Sequence, residues 1–341
     1  MSYQITVEPS GRQFTAEAGE SLLDAAARHG LTLPHGCRNG GCGVCKGKVL
    51  AGRVDYGRAE AHRLTEDDKA AGLALYCCAT ALSDLVIESK QMTVADDIPV
   101  KTLPARIEKL TRLAPDVIEL HLRLPASERF LFRAGQYIDI LLKDGGRRSF
   151  SLANAPDDNA LLQLHIRHIP GGLFTEQVFT TLKPRDMLRI NGPLGSFYLR
   201  QDAAKPIILL AGGTGFAPLK AIVEQAIAAG SARPMTLYWG ARNRAGLYLD
   251  ERPRQWAADH PWLRYVPVLS EPLASDAWSG RTGLVHQAVM TDFPDLSAHE
   301  VYACGAPAMI DAAKADLTGR CALPEEAFFA DAFSFAAGQP G

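Results

Sequence analysis

The first ninety residues alternate short β-type and short helical patterns. Apolar and polar positions alternate over 3–8 and 12–16, around Pro9-Ser10-Gly11, which predicts a β-hairpin. Ser21, three residues before Asp24, predicts the start of a short helix, and Thr65 followed by acidic residues predicts another. The segment therefore predicts a small β-rich fold with two short helices.

Residues 105–203 show short alternating runs separated by turn residues, which predicts an antiparallel β-barrel. One helical stretch, Leu173–Leu182, interrupts the runs. The predicted strands are Val117–Leu124, Gln136–Leu142, Arg147–Leu152 and Leu161–His168.

From residue 204 to the end at 341, continuous apolar runs replace the alternating ones. Ile207–Leu210 is typical of a parallel strand buried on both faces, and a helical pattern follows from about Pro218 to Ala229. Strand and helix then alternate, which predicts a doubly wound α/β domain. Its further predicted strands are Met235–Trp239, Leu263–Leu269 and Val301–Cys304.

Length and composition fit a multidomain globular protein. A chain of 341 residues suggests two to three domains, and 92–104, which contains Pro99 and Pro104, loses periodicity and reads as a linker after a first domain at 1–91. The net charge of −2 argues against a nucleic-acid partner. Neither an apolar run of membrane-spanning length nor an export signal is seen, so we expect no membrane insertion and a cytoplasmic location.

Four of the seven cysteines lie in a pattern typical of an iron–sulfur centre. Cys37, Cys42 and Cys45 have the spacing C-x4-C-x2-C, and Cys77 and Cys78 follow 32 and 33 residues after Cys45. This is the spacing of a plant-type [2Fe–2S] cluster, which needs three thiolates from one loop and a fourth from a distant segment. A zinc site and a disulfide framework remain alternatives, and spacing alone does not choose between Cys77 and Cys78.

Two glycine-containing turns are candidate phosphate sites. Gly171 and Gly172 stand where the Leu173–Leu182 helix begins, and Arg148 could add a charge-assisted bond to a pyrophosphate. Gly212–Gly215 directly follows the first α/β strand and precedes a helix. Each motif alone has a plain alternative, a solvated strand end for Arg147-Arg148 and a tight strand–helix turn for Gly212–Gly215.

Together the motifs resemble those of three-part reductases with a plant-type ferredoxin, an FAD barrel and an NAD(P) domain. Residues 1–90 resemble the ferredoxin, with Cys77 opening the segment similar to C-x-A-x-x-x-S-D, so the resemblance implies a β-grasp-like fold and cluster ligands Cys37, Cys42, Cys45 and Cys77. The R-x-Y-S motif of ferredoxin–NADP reductase-type flavin domains appears with Phe150 in place of tyrosine. The FAD contacts that the resemblance implies are Arg148, Ser149, Phe150, Ser151, His165, Ile166, Arg167, Gly171, Gly172 and Thr175.

The same resemblance extends to the C-terminal domain. Its G-G-x-G-x-x-P, Y/F-x-G-x-R and C-G-x-P motifs imply a nicotinamide site, with Cys304 beside the carbon that gives up hydride and Phe333 as a flavin-covering aromatic. The nucleotide contacts implied are Gly212, Gly213, Thr214, Gly215, Pro218, Tyr238, Gly240, Arg242, Cys304, Gly305 and Pro307.

The resemblance implies an NAD(P)H-dependent electron-transfer reductase. Hydride electrons would pass through FAD and the [2Fe–2S] cluster, one at a time, to a protein acceptor. The expected acceptor is an oxygenase component, as in benzoate dioxygenase-type and methane monooxygenase-type systems. The alternatives are a deoxysugar dehydratase, as for CDP-6-deoxy-Δ3,4-glucoseen reductase, and a redox sensor that does not turn over. The resemblance to oxygenase reductases makes NADH the expected donor. NADPH is the alternative, because Arg244 is an extra arginine near Arg242 that could favour a 2′-phosphate.

Overall fold

The computed structural model describes residues 1–94, 98–156, 161–201 and 204–333. The chain divides into two compact units. Unit 1 is built from the described parts of Met1–Asp97, Gly195–Phe197 and Asp331–Ala336, and unit 2 from the described parts of Ile98–Leu194 and Tyr198–Ala330.

Unit 1 is built around a mixed five-stranded sheet in the order β2-β1-β8-β4-β6. The hairpin partners β1 and β2 are antiparallel, whereas β1 and β8 are parallel, and the parallel pair confirms a β-grasp-like arrangement. The elements are β1 (Ser2–Glu8), β2 (Arg12–Glu17), α1 (Leu22–Arg28), β3 (Leu31–Thr32), β4 (Lys46–Ala51), β5 (Val54–Asp55), α2 (Glu66–Ala70), β6 (Leu73–Leu75), β7 (Thr80–Ala81), β8 (Leu85–Glu88) and β9 (Thr93–Val94).

Both predicted helix starts of unit 1 are present. The Ser21 hydroxyl accepts a hydrogen bond from the backbone N–H of Asp24 at the start of α1. Thr65 and Asp68 form a complete capping box on α2. These caps satisfy backbone donors that a helix start would otherwise leave without a partner. They set where the two short helices begin, on either side of the cysteine loop.

The first half of unit 2 is an antiparallel barrel in the strand order β13-β12-β15-β10-β11-β14. An antiparallel bridge between Leu152 and Leu164 joins the two end strands, so the sheet closes on itself as predicted. Apolar side chains from alternate positions fill its interior. The elements are β10 (Lys101–Ala114), β11 (Val117–Arg123), β12 (Tyr137–Leu141), β13 (Arg147–Ser151), β14 (Leu162–Arg167), α3 (Leu173–Thr180) and β15 (Met187–Leu194).

The second half of unit 2 is an α/β sheet in the order β19-β18-β17-β16-β20-β21. The strand order reverses at β16, which pairs in parallel with β17 on one side and β20 on the other. Ligands bind at such a switch point, beyond the carboxyl ends of the strands. The elements are β16 (Ile207–Gly212), α4 (Phe216–Ala228), β17 (Met235–Ala241), α5 (Glu251–Asp259), β18 (Leu263–Leu269), β19 (Arg281–Thr282), α6 (Val285–Asp292), β20 (Glu300–Gly305), α7 (Pro307–Arg320) and β21 (Phe328–Ala332).

The structure changes both ends of the linker predicted over 92–104. Strand β10 already begins at Lys101, and Thr93–Val94 pairs with Leu31–Thr32. Pro104 is tolerated because it pairs with Arg189 on one side, while the pairing with β11 begins only at Arg106. The strand is therefore a sheet edge at that point, where a missing N–H is least costly.

Candidate functional site

The four predicted ligand thiols of unit 1 lie in two pairs. Cys45 Sγ lies 3.2 Å from Cys77 Sγ. The backbone N–H of Cys42 donates to Cys37 Sγ at 3.3 Å, and that of Cys37 donates to Cys42 Sγ at 3.4 Å. Within the described ranges, no three His, Cys, Asp or Glu side chains are grouped around a single metal ion. Grouping two by two suits a cluster of two irons held by four thiolates.

The cysteine loop directs hydrogen-bond donors at its own sulfurs. The neighbouring Cys42 thiol, together with the backbone N–H groups of Asn39, Gly41 and Cys42, lowers the pKa of Cys37 to about 5, although burial opposes this. Gly40 and Gly43 have φ of 85° and 80°, which lets the chain turn tightly here. These donors favour the thiolate of Cys37, the form that binds iron, while the neighbouring Cys37 raises the pKa of Cys42. Backbone donors directed at sulfur fit a [2Fe–2S] cluster.

A fifth thiol lies next to this group. Cys78 Sγ is 3.7 Å from Cys77 Sγ, and a Cβ added to Gly40 would lie 2.9 Å from Cys78 Sγ. Cys78 therefore fills the space under the glycine turn. That position agrees with the prediction of Cys77 as the ligand and Cys78 as a buried neighbour, and the assignment itself stays a prediction.

In the barrel, the motif Arg148–Ser151 lies in β13, which pairs with β12. Ser149 Oγ donates to Asp139 Oδ1 at 2.6 Å, and the Phe150 ring packs on Phe174 of α3 with centroids 5.4 Å apart. Arg148 is half-buried and donates to the Arg147 carbonyl oxygen. Arg148 and Phe150 therefore share one face of β13, where Phe150 contacts α3, while Ser149 lies with Asp139 on the other face.

The predicted phosphate turn has a feature that the sequence did not reveal. The Gly171 N–H donates to a Glu176 carboxylate oxygen at 3.1 Å, and Glu176 also lies 3.0 Å from His168 Nε2. Thr175 is buried and bonds back to the Ile169 backbone. No side chain caps α3 at Gly172. The turn keeps an open helix N-terminus, but a phosphate at Gly171 must displace an acid.

At the switch point, the two glycine motifs of the α/β sheet are in backbone contact. A Cβ on Gly215 would lie 2.0 Å from the Cys304 carbonyl oxygen, and a Cβ on Gly212 would lie 2.5 Å from Met309 Sδ. Cys304 itself is fully buried. The glycines are required by close packing between the β16 turn and the β20 turn, in addition to any ligand. Met309 is part of this junction and was not predicted.

Arg167 supplies the strongest sign of a ligand near this junction. Its Nη1 lies 2.9 Å from Asp116 Oδ2, which fixes the guanidinium. Its Nη2 is buried and has no hydrogen-bond partner among the described residues. A Cβ on Gly213 would lie 3.5 Å from that same atom. A buried donor left without a partner is costly, so the site fits a polar or anionic nucleotide group between the barrel and the glycine turn.

Several other predicted cofactor-contact residues are packed inside the fold, and Arg242 is exposed. Tyr238 and Ile166 are fully buried, and Tyr238 Oη donates to Asp292 Oδ2 at 2.5 Å. Pro218 and Pro307 lie in the first turns of α4 and α7, and Gly240 packs against Val285. Arg242 is exposed. Cofactor contact by these residues remains a prediction.

The structure also places Phe333, the predicted flavin-covering aromatic, and Arg244, the arginine considered for NADPH preference. Phe333 follows β21 and is grouped with unit 1, while Ser334 and Phe335 lie outside the described residues. The backbone N–H of Arg244 donates to Asp276 Oδ2 at 3.1 Å. A carboxylate from 32 residues further along the chain therefore lies beside the Arg244 backbone.

Family comparisons agree with this arrangement. The 2Fe-2S iron-sulfur cluster binding domain matches residues 5–82, the oxidoreductase FAD-binding domain 104–198, and the oxidoreductase NAD-binding domain 209–315. The CDP-6-deoxy-L-threo-D-glycero-4-hexulose-3-dehydrase reductase of Yersinia pestis is 42% identical over 98% of this chain and 99% of its own length. Reductase component 2 of terephthalate 1,2-dioxygenase from Comamonas is 38% identical over 98% of both chains.

Solved structures show the same likeness. Amycolatopsis cytochrome P450 reductase GcoB has a TM-score of 0.78 and 35% identity, over 98% of this chain and 100% of that chain. The ferredoxin reductase in carbazole 1,9a-dioxygenase has a TM-score of 0.70 and 28% identity, over 98% and 99%. No helix in the described ranges is both long and apolar enough to cross a membrane.

The fold and site define an oxidoreductase with iron–sulfur, flavin and nicotinamide modules in one chain. The chain belongs to the family of three-domain [2Fe–2S]/FAD/NAD(P) reductases that includes oxygenase reductase components and a hexulose dehydrase reductase. It takes electrons from NAD(P)H and passes them through FAD and the cluster to a partner protein. The zinc and disulfide alternatives for the cysteine motif are thereby set aside.

Proposed function

We propose that this reductase delivers single electrons to an oxygenase component, from the cytoplasm and with NADH as donor. The observation that carries the electron-transfer part is the arrangement of Cys37, Cys42, Cys45 and Cys77 in two pairs. Relatives that serve terephthalate 1,2-dioxygenase and phenol 2-monooxygenase, at 38% identity, support an oxygenase as acceptor.

The chain's residues divide the work between three places. The four thiolates hold the cluster, and backbone donors around Cys37 tune it. Arg148, Phe150 and the open N-terminus of α3 would hold FAD, which when bound accepts a hydride and passes its electrons on singly. Arg167 would bind the nucleotide between the barrel and the glycine turn, because its buried Nη2 needs an acceptor.

The nicotinamide would be held at the junction of the β16 and β20 turns. Gly215 packs directly on the Cys304 backbone, so a ring bound there is fixed relative to both strands. Asp276 beside Arg244 supports the preference for NADH, since a carboxylate repels a 2′-phosphate and suits a 2′-hydroxyl. Cys304 would contact the nicotinamide carbon from its buried position.

A second acceptor has one observation in its favour. The dehydrase reductase of Yersinia pestis is 42% identical over nearly the whole of both chains, whereas the oxygenase relatives are 37–38% identical. A hexulose dehydrase component is therefore the alternative partner. The two differ in the acceptor and share every step inside this chain.

An anaerobic absorption titration with NADH, and separately with NADPH, tests the internal path. We expect the flavin and iron–sulfur bands to bleach together, at lower concentrations of NADH. Flavin bleaching with an unchanged iron–sulfur band would refute the path. NADH oxidation is then measured with a purified dioxygenase component and with a dehydrase component, and faster turnover with the dehydrase would select the second acceptor.

A further inference from the structure

Four polar side chains connect the cofactor junction of unit 2 with the outer face of its barrel. Tyr248 Oη lies 3.0 Å from His165 Nδ1. His165 Nε2 lies 3.7 Å from Glu119 Oε1, and Glu119 Oε2 lies 2.9 Å from His121 Nε2. Glu119 and His165 are direct cross-strand partners in β11 and β14, and His121 follows two positions later on the same face. The barrel strands therefore set the order His165, Glu119, His121, and Tyr248 joins it from the segment between β17 and α5 of the α/β half.

Tyr248, the inner end of this series of four side chains, lies beside the predicted hydride site. The Tyr248 ring meets the Trp239 ring edge-on at 5.1 Å, and the Trp239 indole N–H donates to the Gly213 carbonyl oxygen at 2.9 Å. Burial raises the pKa of Tyr248, and the nearby charges that act on it include Arg167 and Cys304. Tyr248 thus keeps its proton at neutral pH and lies near enough to Arg167 and Cys304 for their charges to act on it.

The outer end reaches solvent. The His165 side chain is 0% exposed, whereas Glu119 and His121 are 17% and 16% exposed. Burial lowers the pKa of His165, against the opposing effect of Glu119, while His121 and His165 lower the pKa of Glu119. Lys220 and Glu224 of α4 also face His165 with opposite charges. At rest, Tyr248 and His165 are therefore neutral and Glu119 is ionised.

The contacts of this chain are close but incompletely formed. In the described structure, neither His165 Nε2 nor His121 Nε2 has a partner in hydrogen-bond geometry, although Glu119 lies between them. If these side chains served only to stabilise the barrel, we would expect both hydrogen bonds to be formed, because buried polar atoms without partners are costly. A side chain that passes a proton from one partner to another must instead be able to leave each partner in turn, which loosely formed contacts allow.

The reaction proposed above leaves a proton to remove. In balance, NADH and two oxidised one-electron acceptors give NAD⁺, one H⁺ and two reduced acceptors. The cluster carries electrons and no proton, so one proton per hydride remains at the buried junction. We propose that Tyr248, His165, Glu119 and His121 form a relay that carries this proton to solvent. The inference rests on the proposed internal electron path.

Each transfer in the relay conserves protons. Tyr248 gives its hydroxyl proton to His165 Nδ1 and receives the proton left at the junction. His165 gives its Nε2 proton to Glu119, which passes one to His121 Nε2, and His121 releases its Nδ1 proton to water. His165 must rest with its proton on Nε2, because ionised Glu119 can only accept.

The test measures proton release directly in the holoprotein. Protein reduced anaerobically with one equivalent of NADH is mixed with ferricyanide in weak buffer containing a pH indicator dye. Proton release and the flavin band are followed together. We expect one proton per NADH in the wild type, and in Glu119→Gln a release slowed by about tenfold or more, with unchanged hydride transfer from NADH. Glu108→Gln is the matched control, since Glu108 lies on neighbouring strand β10 and pairs with Arg106 and Arg123.

Release at the wild-type rate in Glu119→Gln would overturn the relay. If that variant loses FAD, His121→Gln at the solvent end replaces it, with the same expectation. In the resting protein, ¹⁵N NMR should show a neutral His165 with its proton on Nε2 at pH 7, and a proton on Nδ1 would contradict the proposed direction. A wild type that reduces ferricyanide without oxidation of the cluster would instead refute the electron path.

Discussion

Two adjacent cysteines show how a one-residue difference separates a ligand from a packing residue. Cys77 Sγ lies 3.2 Å from Cys45 Sγ, whereas Cys78 Sγ lies under Gly40. Cys77→Ala should remove the cluster, with loss of bound iron and of the visible iron–sulfur band. Cys78→Ala is the matched variant and should keep both. Absorption spectra and iron content per chain measure this, and a cluster that survives only in Cys77→Ala would reverse the ligand assignment.

Gly215 is a residue at which a single methyl group has no room. Its added Cβ would lie 2.0 Å from the Cys304 carbonyl oxygen, so the two turns would have to separate. Gly215→Ala should therefore weaken NADH binding about tenfold or more while the iron–sulfur band remains, because a misplaced site loses its positioning. NADH binding is measured by anaerobic flavin titration.

Gly319→Ala is the control for that substitution. Gly319 lies inside α7, and its added Cβ would meet nothing within 4 Å. Alanine there should raise the free energy of unfolding by about 0.5–1 kcal/mol and leave NADH binding unchanged. Equal losses of NADH affinity in the two variants would mean that the effect of Gly215→Ala is not local to the junction.

At the scale of elements, sequence periodicity predicted most of the fold. Alternating runs became the closed barrel, and the continuous apolar run at Ile207–Leu210 became the central strand β16. Capping residues marked both short helices of unit 1. The start of β10 at Lys101 was missed, because Pro104 argues against a strand unless its partner strands are known. Local sequence patterns therefore predict whether a segment forms a helix or a strand, but they do not predict which strands pair.

The sequence predicted site residues that belong to a local motif. It missed those whose role depends on contact with a residue far away in the sequence. Glu176 on Gly171 and Asp276 on Arg244 are examples, since neither acid has a motif relation to the residue that it contacts. The pair His165–Tyr248 is separated by 83 residues. Arg167 was predicted as a cofactor residue, but its partnerless Nη2 required the structure. Such contacts depend on how strands are ordered.

Asp292 at the end of α6 ties several elements of the α/β sheet together. It accepts from Tyr238 of β17 at 2.5 Å and from Arg264 of β18 at 3.1 Å, and it pairs with Arg281 of β19. Burial would raise the pKa of Asp292, but the Tyr238 hydroxyl and Arg281 outweigh burial and lower it. The ionised group therefore stabilises the fold fully above its ordinary pKa of 3.8, and this stabilisation is lost as pH falls from that value through the lower pKa of the folded state.

Asp292→Asn tests this contribution. We expect the free energy of unfolding to fall by about 2–3 kcal/mol at pH 7, with the difference from wild type shrinking towards about pH 3. Urea unfolding followed by tryptophan fluorescence measures it, since Trp239 and Trp256 lie in the same unit. The exposed Glu271→Gln is the control. A difference that grows on acidification would contradict the sign.

At the scale of the whole molecule, hydride transfer requires the barrel and the α/β sheet of unit 2 to hold two cofactors in register. Lys220 joins them from inside α4. Its Nζ donates to the Ala153 carbonyl oxygen at 2.8 Å, to Gln163 Oε1 at 3.2 Å and to Glu224 Oε2 at 2.9 Å, and the residue is 3% exposed. Two of these acceptors belong to the barrel. A buried cation with three acceptors is fixed in place, so it fixes the two halves to each other.

Lys220→Met keeps an unbranched side chain that is one heavy atom shorter, and it removes the charge. It leaves Glu224 with Arg252 and leaves the Ala153 carbonyl without its donor, so stability should fall by about 2–4 kcal/mol. FAD and NADH should each still bind, while the rate of flavin reduction falls more than NADH affinity does. Stopped-flow reduction over a range of NADH concentrations separates these two effects. Arg252→Met, which removes the exposed partner of the same Glu224, should leave both unchanged. If Lys220→Met weakens NADH binding and leaves the limiting rate intact, Lys220 shapes the nucleotide site and does not set the register of the two halves.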